Sequence, residues 1–182
     1  MTTSYHSFKR LPEIYYDGIM RLLILTDHEF CPPLSSRVST TQEYFCQDGS
    51  SYNKDHSISL YFQALLEQSF IIAIVDSVLI GFLSYIKDHI VADVNVLSKN
   101  VYVSTICIDP GYRRRGITSC FYDSLEADTE NHLVYTRTWS QNHSHINLLI
   151  KRKYELIREL INDRASGINT VYYAKKLDGL KK

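Results

Sequence analysis

The stretch VYVSTICIDPGYRRRGITSCFYDSLEA, Val101–Ala127, decides the fold. An apolar run over Ile106–Ile108 ends at Asp109–Gly111, and three arginines and a glycine precede a segment whose apolar residues have helical spacing. This order predicts a strand, a turn and a helix that begins beside basic residues. The first turn of a helix has unpaired N–H groups and the positive end of the macrodipole. The junction is therefore a candidate anion site, especially for phosphate.

The basic segment Arg113–Arg115 has a second interpretation, a solvated cluster of arginines at the start of a helix. Its spacing matches neither the GxxxxGK[ST] of a P-loop nor the GxGxxG of a dinucleotide fold. Gly116 favours the binding interpretation, because a glycine lets the backbone approach a ligand closely.

Composition limits the classes of protein to consider. The chain has 182 residues, enough for one domain with a substantial core and too few for two ordinary domains. With 45% apolar and 22% charged residues, the sequence is typical of a soluble globular protein. Twenty basic and twenty acidic residues give a net charge of zero, which disfavours a nucleic-acid-coating protein. No segment resembles a signal peptide or a membrane span, so we expect a cytoplasmic protein without a membrane partner.

The cysteines and histidines do not predict a metal site. Four cysteines lack CxxC spacing and are expected to be reduced: Cys31, Cys46, Cys107 and Cys120. His143 and His145 are two residues apart and would not face each other on a helix. No cluster of acidic residues or cysteines completes a ligand set around them, so we expect no metal.

The rest of the chain predicts a sheet flanked by helices, an α/β (α+β) fold that is mostly antiparallel around a central strand–loop–helix unit. Helices are predicted at 12–27, 59–68, 114–128 and 144–152, and strands at 70–75, 78–86, 101–109, 132–138, 154–161 and 169–177. A further helix carrying Glu43 would be capped within 39–41. Residues 47–57 are expected to form a surface loop, 87–100 an irregular connection and NDRASGIN, 162–169, the loop of a final hairpin.

Two motifs resemble the GCN5-related N-acetyltransferases (GNAT). Arg113–Thr118 resembles the family signature (Gln/Arg)-x-x-Gly-x-(Gly/Ala), with Thr118 in place of the last small residue. Asn142–Tyr154 is similar to the family's N-x-x-A-x-x-L-Y-x-x-x-G-F, with Asn142 and Tyr154 at its two ends. Lys153 stands where the family has glycine, and Leu149 stands where a tyrosine is common.

The resemblance implies a GNAT-like domain over 1–182, with a cofactor-binding core at 70–177 and a helical acceptor-side region at 1–60. In this family a gap between the signature strand and the next strand admits the pantetheine of acetyl-CoA. The cofactor-binding residues implied are Ile106, Cys107, Ile108, Arg113, Arg114, Arg115, Gly116, Ile117, Thr118, Ser119 and Asn142. Backbone N–H groups of residues 115–119 would bind most of the phosphate, because consecutive arginines point in different directions.

Two of these residues have alternative roles. Asn142 is also a typical turn or helix-capping residue. Cys107 could be a nucleophile, but no histidine adjacent in sequence would activate it, and a buried structural cysteine is the preferred interpretation.

The groups that move protons are not visible in the sequence. By family analogy the tyrosine protonates the departing thiolate, and Leu149 cannot donate a proton. In this family the end of the first helix borders the acceptor site, so the resemblance makes Asp27, His28 and Glu29 candidate bases, but each is also an ordinary polar residue at a helix end. No general base is assigned.

The leading hypothesis is an acetyl-CoA-dependent N-acetyltransferase that transfers acetyl to a primary amine by direct attack in a ternary complex. The acceptor would be a small-molecule or peptide amine, bound by the first two helices and the hairpin loop at 162–169. A catalytically silent acyl-CoA-binding module is the alternative, and nucleic-acid binding through Arg113–Arg115 is a third. The resemblance also allows a homodimer.

Overall fold

A computed structural model describes residues 2–37, 39–42, 45, 57–89, 100–129 and 132–177. Its strands are β1 (Ser4–Phe8), β2 (Ser69–Val75), β3 (Val78–Lys87), β4 (Asn100–Ile108), β5 (Leu133–Trp139), β6 (Glu155–Ala165) and β7 (Ile168–Lys176). Its helices are α1 (Tyr16–Thr26), α2 (Ile58–Leu66), α3 (Ile117–Ala127) and α4 (His143–Lys151). Single 3₁₀ turns lie at Glu13–Tyr15, Asp27–Glu29, Leu34–Ser36 and Pro110–Tyr112.

The seven strands form one sheet in the order β1-β2-β3-β4-β5-β7-β6. Only β4 and β5 are parallel among the pairs of described strands, and α3 connects them. The predicted fold class, a mostly antiparallel sheet with a central strand–loop–helix unit, is confirmed. Because β1 pairs with β2, residues from the N-terminal region belong to the same sheet as the rest.

The two faces of the sheet have separate cores. On one face α3 and α4 bury a cluster that includes Phe121, Leu125 and Leu149 against the sheet. On the other face α1 and α2 bury a second cluster that includes Leu22 and Tyr61. Each helix places its apolar stripe on the sheet, as expected for amphipathic helices in a layered α/β fold. The sheet therefore separates an α3–α4 face from an α1–α2 face.

A β-bulge on β4 determines where the central gap opens. Opposite β3, Ser84 pairs with Thr105 and Tyr85 pairs with Val103, so Ser104 is the extra residue on β4. A bulge bends its strand and increases the local twist. Pairing between β4 and β5 ends at Val103, opposite Thr136, although both strands continue. The strands consequently diverge from the bulge onward and leave a gap.

The structure differs from the predicted elements at three places. β1 was not predicted, because SYHSF is a polar, largely exposed edge strand without an alternating apolar pattern. α3 begins at Ile117 rather than Arg114, because Arg114 and Gly116 have left-handed backbone angles, φ +60° and +79°. The final hairpin turns at 166–167, so Asp163 and Arg164 lie within β6 rather than in a loop.

Three predictions concern residues outside the described part of the chain. They are most of the helix expected to carry Glu43, the loop at 47–56 and the centre of the connection at 90–99.

Candidate functional site: a cavity through the sheet

A cavity of about 650 Å³ occupies the gap between β4 and β5. Successive residues of β5 point to opposite faces of the sheet. Thr138 contacts Asn142 on the α3–α4 face, whereas Arg137 contacts Tyr102 on the α1–α2 face. All four residues line the cavity, so the cavity reaches both faces through the gap.

The loop before α3 forms the end of the cavity on the α3–α4 face. Gly116 has a left-handed φ of +79°, and a Cβ built on it would meet no atom within 4 Å. The space beside this backbone is therefore open to a ligand. Gly116 is also the N-cap of α3 and supplies no side chain to the first-turn N–H groups. Ile117, Thr118 and Ser119 follow it along the cavity wall. The arrangement has the features of an anion site at a helix N-terminus.

The three consecutive arginines have different environments. Arg113 is held by the Glu29 carboxylate, with N–O distances of 2.7 and 2.9 Å, and donates to the Ile108 carbonyl at 3.2 Å. Arg114 lines the cavity. Arg115 lies over the Tyr112 ring, with 5.0 Å between guanidinium carbon and ring centroid, and is not among the residues that line the cavity. Ten of the eleven predicted cofactor residues line this cavity, and Arg115 is the exception.

β4 supplies one wall of the gap. Beyond Val103, the edge of β4 that faces β5 has no ladder partner in β5, so its backbone groups face the cavity. Ile106, Cys107 and Ile108 lie on this segment.

Cys107 is a structural thiol in this arrangement. Its side chain is buried, and Thr26 Oγ1 lies 3.3 Å from its Sγ. Burial raises the pKa of the Cys107 thiol to about 12, which suppresses the reactive thiolate near neutral pH.

Asn142 caps α4 and also lines the cavity. Its Oδ1 accepts from the His145 N–H at 3.4 Å, and its Nδ2 donates to Thr138 Oγ1 at 3.0 Å. The capping interpretation is therefore observed in the structure, and the side chain remains positioned for a ligand in the cavity.

The proton-donor position of the second motif holds no donor. Leu149 is fully buried in the core on the α3–α4 face and does not line the cavity. His145 lines the cavity instead, and its Nε2 lies 2.9 Å from Tyr122 Oη. Burial lowers the pKa of His145 to about 4, so the imidazole is neutral at pH 7.

The candidates for a general base occupy different positions. Asp27 accepts from Ser35, from its N–H at 2.8 Å and its hydroxyl at 2.7 Å, and does not line the cavity. His28 does not line it either. Glu29 lines the cavity but is paired with Arg113.

Three arginines that the sequence did not single out line the cavity on the α1–α2 face: Arg37, Arg137 and Arg164. Their guanidinium carbons lie 5.2, 5.2 and 4.0 Å from the centroid of the Phe45 ring. The sequence contained one indication of this cluster. Arg137 is the single charged residue in the strand LVYTRTW, whose other residues are apolar, aromatic or threonine. Their convergence depends on tertiary contacts among three distant segments.

The described residues include neither a metal-binding cluster nor a helix that could span a membrane. No group of three or more His, Cys, Asp or Glu side chains in this part of the chain could hold a metal ion. No described helix is long and apolar enough to cross a membrane.

A comparison with family profiles identifies the class of protein. The profile of the Acetyltransferase (GNAT) family matches residues 37–153, which is more than half of the chain. The chain belongs to the GNAT acetyltransferase family, as the resemblance of its two motifs predicted. A comparison with curated protein sequences gives no match.

Solved structures show the same fold at low sequence identity. An N-acetyltransferase from Staphylococcus aureus Mu50 has 12% identity and a TM-score of 0.65, over 98% of this chain and all of that one. NAA60 from Arabidopsis thaliana, solved with a bisubstrate analogue, has 15% identity and a TM-score of 0.66 over 98% and 99% of the two chains. The yncA protein from Salmonella typhimurium, solved with its cofactor acetyl-CoA, has 11% identity and a TM-score of 0.63 over 100% and 98%.

Proposed function

We propose that this chain is an acetyl-CoA-dependent N-acetyltransferase that acts on a primary amine in a ternary complex. The observation that carries the proposal is the cavity through the gap between β4 and β5, which is lined by the N-terminus of α3 on one face of the sheet and by residues of the other face at its opposite end. Family membership supports acetyl transfer, and the relative from Salmonella typhimurium was solved with acetyl-CoA.

We assign candidate binding groups to the phosphates and to the pantetheine of coenzyme A. The N–H groups of residues 115–119 and the side chain of Arg114 would bind its phosphates. The edge of β4 at Ile106–Ile108, which has no ladder partner in β5, would bind the pantetheine amides, as a strand would. Asn142 would contact the cofactor from the opposite wall. The open space beside Gly116 fits the close approach of a phosphate to the backbone.

Acetyl transfer would take place where the cavity crosses the sheet. The amine nitrogen attacks the thioester carbonyl, forms the C–N bond and expels the thiolate of coenzyme A as the C–S bond breaks. The oxygen of the carbonyl gains negative charge during attack, and a backbone N–H near Cys107 would stabilise it. The attacking amine must be neutral, so it loses a proton to a base, directly or through water.

A catalytically silent acyl-CoA-binding module is the second candidate. It is favoured by Leu149, which has no proton to give, and by the absence of carboxylates from β4. Acetyl transfer to any member of a broad panel of amines, measured by release of free thiol, would exclude this candidate. Tight coenzyme A binding without transfer would support it.

The first testable prediction concerns coenzyme A affinity at Gly116. Gly116→Asp adds a negative charge and a strained side chain beside the proposed phosphate site, so calorimetric titration should show an affinity at least about 10-fold weaker. Gly167→Asp is the matched control, because Gly167 has a similar φ of +75° and equally open surroundings but lies in the β6–β7 turn, away from the cavity. Equal affinities in the two variants would contradict the site.

Three broader expectations belong to the same proposal. Residues 1–182 would act as one domain, the acceptor would be a small-molecule or peptide amine, and the protein would work in the cytoplasm without a membrane or nucleic-acid partner. A homodimer is also proposed, and sedimentation velocity at micromolar concentration tests it directly.

A further inference from the structure

Two side chains among the described residues that line the cavity have a basic group suited to accept a proton near neutral pH. One is Glu29, whose carboxylate already binds Arg113 at 2.7 Å. The other is His145 on α4, whose imidazole has no ion-pair partner among the residues described. Cys107 also lines the cavity, but its raised pKa keeps it a thiol. His145 is therefore the base that the cavity leaves available.

A chain of hydroxyl groups determines which nitrogen of His145 carries the proton. Thr136 Oγ1 donates its single proton to the Val103 carbonyl at 3.0 Å. Thr136 also shares a hydrogen bond with Tyr122, so the Tyr122 hydroxyl is the donor in that bond. Tyr122 Oη lies 2.9 Å from His145 Nε2 and, with its own proton already used, accepts from Nε2–H. This order of donors leaves the lone pair of the imidazole on Nδ1.

The Nδ1 atom of His145 is accessible from the cavity. Among the residues described, none forms a hydrogen bond with Nδ1. Asn100 Oδ1 is the one side-chain nitrogen or oxygen in this part of the chain that is both sealed from solvent and unpaired, so Nδ1 is not sealed. Because His145 is partly buried and lines the cavity, a molecule bound there can reach this lone pair.

His145 is held close to the point at which the two central strands diverge. Val103 and Thr136 form the last pair of the β4–β5 ladder, so the hydroxyl chain ends where the gap begins. The backbone of His145 is fixed as well, since its N–H donates to Asn142 Oδ1 at 3.4 Å. Asn142 in turn donates to Thr138 Oγ1 on β5 at 3.0 Å. The imidazole therefore has a defined position beside the gap in which the thioester and the amine are proposed to meet.

We infer that His145 carries the proton of the acetyl transfer from the attacking amine to the thiolate of coenzyme A, and that Tyr122 is its positioning residue. The inference rests on the proposed function, since it assigns the proton carrier for the same cavity. Attack by the neutral amine forms the C–N bond and leaves a positive charge on the nitrogen. Nδ1 accepts a proton from this nitrogen, and the imidazolium donates it to the sulfur as the C–S bond breaks. The products are the amide, the free thiol and a neutral histidine.

One imidazole can serve both atoms, because the nitrogen and the sulfur are bonded to the same carbon in the intermediate. Its pKa of about 4 leaves it neutral near pH 7 and therefore ready to accept. Negative charge that develops on the carbonyl oxygen and the sulfur then favours the imidazolium, because a nearby opposite charge stabilises a cation. Once the sulfur is protonated that charge is gone, and burial favours the neutral ring again.

The first experiment removes the imidazole. In His145→Ala, kcat measured by release of free thiol should fall at least about 100-fold, which is the contribution expected of a group that moves protons in the transition state. The KM for the amine and the calorimetric affinity for coenzyme A should stay within about 3-fold of the parent values, because binding does not use the lone pair. His143→Ala is the matched control, since His143 is exposed on the same helix and does not line the cavity. An unchanged kcat in a His145→Ala protein that binds coenzyme A would overturn the inference.

Added imidazole distinguishes proton transfer from a structural role of the ring. The substitution opens a space beside the gap, so free imidazole should raise the kcat of His145→Ala at least about 5-fold and leave that of His143→Ala unchanged. A loss of kcat that imidazole does not relieve would show that the ring acts through packing, which would overturn the inference.

The second pair of variants concerns the positioning residue. Tyr122→Phe keeps the buried ring but removes the oxygen that accepts from Nε2–H, so kcat should fall about 5-fold at an unchanged KM. Tyr154→Phe is the matched control. Tyr154 packs against Tyr122, with 5.6 Å between ring centroids, and its hydroxyl binds Glu126 rather than His145. Equal kcat values in the two variants would overturn the assigned tautomer and the inference with it.

Nuclear magnetic resonance of the imidazole separates this inference from the proposed function. Long-range proton–nitrogen correlation spectra, assigned by comparison with His145→Ala, should show His145 as the Nε2–H tautomer near neutral pH. An Nδ1–H tautomer would overturn the inference even in an active enzyme. A parent protein that binds coenzyme A but acetylates no amine would contradict the proposed function and leave His145 no proton to carry. Acetyl transfer that survives the loss of His145 would support the function and overturn the inference alone.

Discussion

At the scale of single residues, His145 links the cavity to the pH dependence of stability. Its pKa is lowered by burial to about 4, below its ordinary value of 6.5. The unfolded chain therefore binds a proton between these values that the folded protein excludes. The stabilisation from this histidine is complete above pH 6.5 and is lost as the pH falls towards 4. Because the His145 side chain is only partly buried, we expect the free energy of unfolding to fall by only about 1 kcal/mol from this histidine between pH 7 and pH 5.

The corresponding prediction is that His145→Gln reduces the loss of unfolding free energy between pH 7 and pH 5 by about 1 kcal/mol. Urea unfolding of the ligand-free protein at the two pH values measures this change. His143→Gln is the control, because His143 is exposed on the same helix, and it should behave like the parent protein. Identical pH dependence in the two variants would contradict a neutral, shielded His145.

Lys153 is a second residue whose substitution should change the free energy of unfolding. It occupies the glycine position of the second motif and adopts a φ of +65°, immediately after the end of α4. A left-handed backbone is strained for a residue with a Cβ and favourable for glycine at the end of a helix. Lys153→Gly should therefore raise the free energy of unfolding by about 0.5 to 1 kcal/mol. The same change two residues earlier, Lys151→Gly, lies within the helix and should lower it by about 1 kcal/mol.

At the scale of elements, Glu126 joins α3 to α4 and β7. Its 14% exposed carboxylate binds Arg152 at 3.2 Å and Lys175 at 2.7 Å, and accepts from Tyr154 Oη at 3.2 Å. Glu126→Gln should lower the free energy of unfolding by about 2 kcal/mol, because two cations lose their shielded partner.

Asp123→Asn is the matched control for this prediction. Asp123 pairs with the same Arg152 at 2.8 Å, but its side chain is 66% exposed. Water and salt screen such a pair, so Asp123→Asn should lower the free energy of unfolding by less than about 1 kcal/mol. Comparable losses from the two substitutions in denaturant titrations would show that Glu126 does not join these elements.

Most elements of the fold followed from sequence patterns, and the exceptions have physical causes. Apolar runs and helical spacing located β2 to β5 and α4 within about two residues of their observed limits. The polar edge strand β1 has no such pattern and is formed by pairing with β2. Near the end of β6, Asn162 has a positive φ and the register between β6 and β7 shifts. Residues of a type that usually forms turns therefore lie within a strand.

One end of the candidate site could be predicted from the sequence and the other could not, because only the first is formed by contiguous residues. The loop before α3 is contiguous, so the arginines, Gly116 and the helix start could be recognised together in the sequence. The opposite end combines Arg37, Arg137 and Arg164, which are far apart in the chain and meet only through the folded sheet. A local motif could not reveal that cluster.

At the scale of the whole molecule, an overall balance of charge conceals an uneven distribution. The chain has twenty basic and twenty acidic residues, yet five arginines face one glutamate along the cavity among the residues described. This distribution supports the proposal that the cavity binds coenzyme A, an anionic ligand, in a chain whose net charge is zero.

The passage of the cavity through the sheet has a consequence for steady-state kinetics. If coenzyme A occupies the α3–α4 side and the acceptor the α1–α2 side, neither substrate has to leave before the other can enter. Initial-rate plots should then intersect rather than run parallel. Free coenzyme A should compete with acetyl-CoA and inhibit non-competitively with respect to the amine. Parallel plots would instead require an acetylated enzyme. The acetyl group would then pass from acetyl-CoA to the protein on one side of the sheet, and from the protein to the amine on the other.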